Sequence, residues 1–281
     1  MLKQRVITAI VLLAILLPAL FHHRPEPFAL VTLALVTAGA WEWARLNGLR
    51  AAGSVASGVL CLVICSLSWW AGWTTKSLGP LWLVAGGAWV LLGGGLLARG
   101  VTAWPAHPLA LRWLGGLLAL WVTWLAVVQA RGMGINFLLS ILCLVWMADI
   151  AAYFAGRAFG GRIAKVKLAP SISPGKSWEG VWGGMAGVLI LGMAWVWLDQ
   201  RLGLEVPSLY SRLWAMSALV LPLGAIFLAA MSVVGDLVES LIKRAAGVKD
   251  SSGLLPGHGG VLDRVDALLP TLPLAMMLSA W

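Results

Sequence analysis

Long apolar runs separated by short polar breaks fill this chain, and their lengths are those of membrane-crossing helices. About 20 consecutive, mostly apolar residues are needed for a transmembrane helix. About nine segments meet that standard, approximately 5–22, 28–46, 54–74, 80–98, 110–129, 135–156, 179–198, 212–235 and 266–281, the last being short. The breaks carry turn formers such as Asn47-Gly48, Gly79-Pro80 and Pro105. Glycines inside the runs, Gly86-Gly87, Gly93-Gly94-Gly95 and Gly183-Gly184 with Gly187, suit close helix packing. The pattern predicts an all-α polytopic membrane protein of about nine transmembrane helices. The first run follows Lys3 and Arg5 but is trailed by HHRPEP, with no small-residue cleavage pattern, so it reads as an uncleaved first helix.

Two stretches break the apolar pattern at length. One, residues 157–178, reads RAFGGRIAKVKLAPSISPGKSW and is basic and punctuated by glycine and proline. The other, residues 236–266, holds five of the chain's 11 acidic residues, Asp236, Glu239, Asp250, Asp263 and Asp266. Lys243, Arg244, Lys249, His258, Arg264 and a glycine cluster at 257, 259 and 260 interleave with them. No repeat or low-complexity linker divides the chain. Residues 1–130 read as a scaffold of about five helices, and residues 131–281 as a catalytic membrane region of about four helices with two cytoplasmic loops.

Composition supports this reading. The chain is 60% hydrophobic and 11% charged, against about 25% charged in soluble domains. A net charge of +9 in such a chain points to anionic lipid headgroups rather than nucleic acid. With a cytoplasmic N-terminus, 15 of the 20 Lys and Arg fall inside, leaving Arg24, Lys76, Arg131, Arg201 and Arg212 outside. Both polar stretches then face the cytoplasm. Cys61, Cys65 and Cys143 all lie in apolar runs and read as buried packing residues.

If 236–243 continues a membrane helix, Asp236, Glu239, Ser240 and Lys243 share one face. Asp263 and Asp266 form a second carboxylate pair, and the Pro256–Gly260 turn lets the chain double back toward Asp236. Oxygen-only ligands suit Mg²⁺, which takes one or two carboxylates plus substrate phosphates. Zinc is disfavoured, with no cysteine or second histidine nearby. Lys243, Arg244, Lys249 and Lys176 are candidate phosphate clamps beside that metal. The Ser173–Ser177 turn offers backbone N–H groups to an anion. His258, flanked by glycines, is a candidate phosphate contact. Asp149, near a helix end, pairs with Arg157 or serves the site; a membrane carboxylate is a functional candidate by default.

The run from Ser240 to Asp266, S-x-x-K-R-x4-K-D-x-S-x-x-L-P-x-H-G-G-x-x-D-R-x-D, resembles the signature of the phosphatidate cytidylyltransferases, or CDP-diacylglycerol synthases. Asp149, Tyr153, Gly156-Arg157 and the stretch Ser171 to Gly180 resemble a second family motif, with Gly175 where lysine is common. The resemblance implies transfer of CMP from CTP to phosphatidic acid, yielding CDP-diacylglycerol and pyrophosphate for phospholipid synthesis. It implies catalytic roles for Asp236, Lys243, Asp263 and Asp266, with Asp236 and Asp263 as metal ligands and Asp266 supporting. Nucleotide or substrate contacts fall to Asp149, Lys176, Ser177, Ser240, Arg244, Lys249, Asp250, His258 and Arg264. Also implied are Mg²⁺ paired with a monovalent cation such as K⁺, a homodimer, and a bacterial-type inner membrane. Two other classes stay open at this point: a CTP-dependent lipid kinase, which would move the γ-phosphate, and a transporter. Against the transporter, the charges gather at one membrane face rather than the midplane.

Overall fold

A computed structural model describes residues 2–280, and its regular elements are helices. Twelve α-helices follow one another: α1 Leu2–Phe21, α2 Glu26–Leu46, α3 Ala51–Trp70, α4 Gly79–Ala88, α5 Gly94–Arg99, α6 Leu109–Met133, α7 Ile135–Phe159, α8 Trp178–Leu202, α9 Leu209–Met216, α10 Val220–Ala245, α11 Leu262–Val265 and α12 Leu268–Leu278. A π-helical turn, Trp89–Gly93, joins α4 to α5 in one span, Gly79–Arg99. Among the described residues, eight helices are long and apolar enough to cross a membrane. The chain is an integral membrane protein.

The eight differ from the expected nine at the end of the chain. The segment expected over 266–281 becomes α12, only 11 residues long and buried along Leu269–Met276. At about 1.5 Å per residue it covers roughly half of a 30 Å hydrocarbon core. It packs between α4, α6 and α10 as an internal half-helix. Pro273 removes the amide that would bond the Leu269 carbonyl. Thr123 of α6 reaches that carbonyl instead, at 3.2 Å, satisfying a group that lipid cannot.

A second difference lies just before the polar stretch. The run expected from 212 is broken where Ser217 turns extended after α9. The spanning helix begins at Val220 and continues unbroken to Ala245, carrying Asp236 through Lys243 as expected.

Glycine sets the closest helix contacts. Along α8, a Cβ at Gly183 would stand 2.1 Å from the Ala155 Cβ, and one at Gly187 2.5 Å from the Ala151 Cβ. Helices α7 and α8 therefore pack small face on small face. Gly86 likewise admits Met277 and Leu274 of α12, whereas Gly87, Gly94 and Gly95 meet open space.

Contacts between loops sort into two ends. At one, Arg131 donates to the Leu20 and His22 carbonyls, at 2.8 and 2.6 Å. Gln129 donates to the carbonyls of Trp73 and Lys76, and Asn136 to Asp199 and the Val206 carbonyl. At the other, Arg244 reaches the Ile172 carbonyl, Lys176 pairs with Asp236, and Thr8 donates to the Pro256 carbonyl. Both polar stretches lie at this second end.

Candidate active site

Asp236, Ser240 and Lys243 line one face of α10, because the helix persists through its polar segment. Ser240 donates to Asp236 Oδ1 at 3.3 Å, and Lys176, from the basic loop, forms an ion pair with Asp236 Oδ2. The two polar stretches therefore meet at a lysine–aspartate pair. Each stretch is also pinched shut by an isolated antiparallel bridge, Ala169 with Ser173 and Leu255 with Gly259.

Asp263 forms the second cluster. Its Oδ1 takes Lys243 Nζ at 2.6 Å. Its Oδ2 accepts from the Gly260 amide at 2.7 Å and from the Ser251 amide and hydroxyl, both at 2.9 Å. Gly259 has φ +82°, and a Cβ there would lie 2.6 Å from Asp263 Oδ2, so the glycine turn wraps directly on the carboxylate. Burial alone would raise the Asp263 pKa, but Lys243 and the two amides outweigh it and hold the group below the usual carboxylate range.

Asp266 stands in a different field. Gly235 lets α10 touch the chain here: a Cβ at that position would fall 2.5 Å from the Asp266 carbonyl oxygen and 2.8 Å from Pro270. Burial first, and then the like charge of Asp236, push Asp266 up to about 7, against the opposing pull of the Ala267 amide. Among the described residues its side chain accepts only that amide, at 2.8 Å.

This donor set fits a hard divalent cation. Asp236 and Asp266 repel each other and retain oxygens with few protein partners, which a cation between them would satisfy. No three of His, Cys, Asp and Glu converge as a metal cluster among the described residues.

Several candidates are engaged elsewhere. Ser177 caps α8, accepting from the Gly180 amide at 3.2 Å. Arg244 donates to the Ile172 and Val248 carbonyls and joins the two loops. Arg264 grips the His258 carbonyl at 2.6 and 3.0 Å and closes the glycine turn. His258 Nδ1 is buried without a partner among the described residues. Lys249 and Asp250 are exposed, with no ion pair among the described residues. Asp149 is exposed on α7 and does not pair with Arg157, whose guanidinium reaches the Tyr153 hydroxyl at 3.3 Å.

Four contributors have no assigned role in the sequence analysis. Ser251 and Ser252 belong to the loop, and Glu42 of α2 is fully buried at its base. An acid inside an apolar run was the available signal for Glu42. Glu179 accepts from the Ile163 and Ala164 amides, at 3.0 and 2.8 Å, and holds the basic loop down.

The chain matches the cytidylyltransferase family over residues 3–281. It is 41% identical to the phosphatidate cytidylyltransferase of Pseudomonas aeruginosa over 296 residues, covering 97% of this chain and 95% of that protein. The Haemophilus influenzae phosphatidate cytidylyltransferase is 36% identical over 309 residues, with 97% and 96% covered. That of Brucella suis is 37% identical over 287 residues, with 99% and 93% covered.

Proposed function

The chain belongs to the cytidylyltransferase family, and from that membership we propose that it transfers CMP from CTP to phosphatidic acid at the Asp236–Asp266 site. The products are CDP-diacylglycerol and pyrophosphate. The observation that carries the site assignment is the convergence of Lys176 with Asp236 and of Lys243 with Asp263 at one end of the helix bundle.

The phosphatidate phosphate is anionic near neutral pH and needs no strong general base. One of its oxygens attacks the α-phosphorus of CTP. As that P–O bond forms, the bond from the α-phosphorus to the oxygen bridging to the β-phosphate breaks, and pyrophosphate leaves with the electron pair. Charge spreads over the phosphoryl oxygens, so positioning and neutralisation supply most of the catalysis. Lys176 and Lys243 neutralise phosphate oxygens, and exposed Lys249 meets the incoming anion. Asp236 and Asp266 would hold Mg²⁺, which when bound neutralises and polarises the phosphates, while Asp263, its oxygens taken by Lys243, Gly260 and Ser251, orients Lys243 beside them. Arg244 and Arg264 shape the loops through backbone carbonyls, and the Ser177 cap fixes the start of α8 beside Lys176. The positive-inside balance directs this end to the cytoplasm, where CTP is found.

Labelled CTP tests the reading. Purified protein in detergent, given phosphatidate and Mg²⁺, should place cytidine label in the lipid and release pyrophosphate. Label passing from the γ-phosphate to a lipid alcohol, with CDP released, would overturn it in favour of a kinase.

A further inference from the structure

Glu42 lies on α2, near the middle of the sequence's first third, yet it is fully buried against a loop more than 200 positions away. Four donor groups face its carboxylate. Ser252 Oγ and the Val261 amide reach Oε1 at 2.5 and 2.9 Å, and Ser251 Oγ and the Leu262 amide reach Oε2 at 3.1 and 2.8 Å. None of its partners is a lysine or arginine.

The surrounding packing is built for this contact. A Cβ on Gly260 would lie 2.3 Å from Glu42 Oε1 and 2.1 Å from Ser251 Oγ, so only glycine lets the loop close over the carboxylate. Leu262 packs at Gly39, one turn before Glu42, where an added Cβ would be 3.4 Å away. Trp43 anchors α2 to α6, its Nε1 donating to the Arg112 and Trp113 carbonyls. Thus α2 is fixed from behind, and Glu42 presents its charge to the loop.

What Glu42 holds is the segment that carries the proposed chemistry. Helix α11, Leu262–Val265, is a single turn with Asp263 in it. A helix that short has no stability of its own, so its position is set by its ties. Two of those are the Val261 and Leu262 amides on Glu42. The Ser251 hydroxyl stands 3.1 Å from Glu42 Oε2 and 2.9 Å from Asp263 Oδ2. With a single proton it donates to one carboxylate at a time. A continuous chain of contacts runs from Glu42 through Ser251 and Asp263 to Lys243.

We propose that Glu42 is a positioning residue for nucleotidyl transfer, holding Asp263 in place against Lys243 and Asp236 of α10 through the 251–262 loop. The inference rests on the reaction proposed above, and it gives the N-terminal half of the chain a share in the site. Asp199 supplies the contrast. It is also a buried carboxylate with several donors, Asn136, the Ser208 amide and the Ser211 hydroxyl. It lies near the far end of α8, roughly 30 Å of helix from Trp178, and holds nothing of the site.

The test compares Glu42→Gln, Asp199→Asn and wild type as purified full-length proteins in detergent, with kcat, both KM values and thermal unfolding measured for each. Glu42→Gln should lose about 10- to 100-fold in kcat, the range seen when an orienting partner is removed. Its KM values for CTP and phosphatidate should stay within about threefold of wild type. Asp199→Asn should lower the unfolding temperature and leave kcat per folded molecule unchanged. A folded Glu42→Gln enzyme with wild-type kcat would overturn the inference, as would a loss no larger than its folded fraction accounts for. Should Glu42→Gln fail to insert, Ser252→Ala decides: reduced kcat at wild-type stability supports the role, and wild-type kcat sinks it. If wild type makes no cytidylyl lipid, the reaction proposal falls. Hydrogen exchange at the Val261 and Leu262 amides then still judges Glu42, because unchanged exchange in Glu42→Gln would refute the tie.

Discussion

Lys243 Nζ sits 2.6 Å from Asp263 Oδ1, with Glu239 Oε2 on its other side at 2.5 Å, so one ammonium serves two acids from two elements. The side chains are 10% exposed for Lys243, 3% for Glu239 and 6% for Asp263. Glu239 accepts no other hydrogen bond among the described residues. Breaking a buried pair by removing one partner costs about 3–5 kcal/mol. Lys243→Ala should therefore lower the unfolding temperature clearly as well as activity. The double variant Lys243→Ala/Glu239→Gln should recover much of the stability but none of the turnover. Thermal unfolding in detergent decides, and a single variant as stable as wild type would show that the pair contributes nothing.

The Lys176–Asp236 pair is more open, its side chains 28% and 30% exposed. Exposed pairs contribute about 0–1 kcal/mol. Asp236→Asn should thus unfold within a few degrees of wild type while losing activity by about 100-fold, the low end of the cost of removing one preorganised electrostatic group from a catalytic site. Its Mg²⁺ requirement should rise in a titration of rate against Mg²⁺. An Asp236→Asn enzyme with wild-type turnover and Mg²⁺ response would remove Asp236 from the site.

Which features were legible in the sequence follows from how local they are. Asp236, Ser240 and Lys243 fall on one face because they share one helix, and helical spacing is written in the chain. The glycine turn announced itself through Gly257, Gly259 and Gly260. Glu42 did not, because a lone carboxylate in an apolar run carries no spacing, and its partners are over 200 residues away. Arg244 is a candidate phosphate clamp by its type, and Ser177 and Arg264 are substrate contacts only through the family resemblance. Their backbone partners, the Gly180 amide and the Ile172, Val248 and His258 carbonyls, become visible only in three dimensions. Run length likewise suggested a last span at 266–281, while Pro273 and the Thr123 contact show a half-helix buried among others.

Ser177 offers a separable test of cap against nucleotide contact. Its hydroxyl accepts from the Gly180 amide at the start of α8. Losing an N-cap costs about 1 kcal/mol, whereas asparagine caps as well as serine. Ser177→Ala should therefore reduce stability by about that amount, and Ser177→Asn should restore it. Activity per folded molecule should change little in either variant if the cap is the main role. Wild-type stability with lost CTP response in Ser177→Asn would assign the hydroxyl to the nucleotide instead.

Gly235 tests whether the approach of α10 to the Asp266 segment is required. An alanine Cβ there would meet the Asp266 carbonyl oxygen at 2.5 Å and Pro270 at 2.8 Å. Both obstacles are backbone or ring atoms that cannot swing aside, so α10 and the α11–α12 junction must separate. Overpacking of this kind costs about 1–3 kcal/mol. It would also move Asp266 away from Asp236, so Gly235→Ala should lose activity beyond its loss of stability. Gly95→Ala is the control, since a Cβ at Gly95 meets open space and alanine favours helix over glycine by about 1 kcal/mol. That variant should keep full activity and equal or greater stability. Full activity in Gly235→Ala would mean that Asp236 and Asp266 work independently, and a cation shared between them would then be excluded.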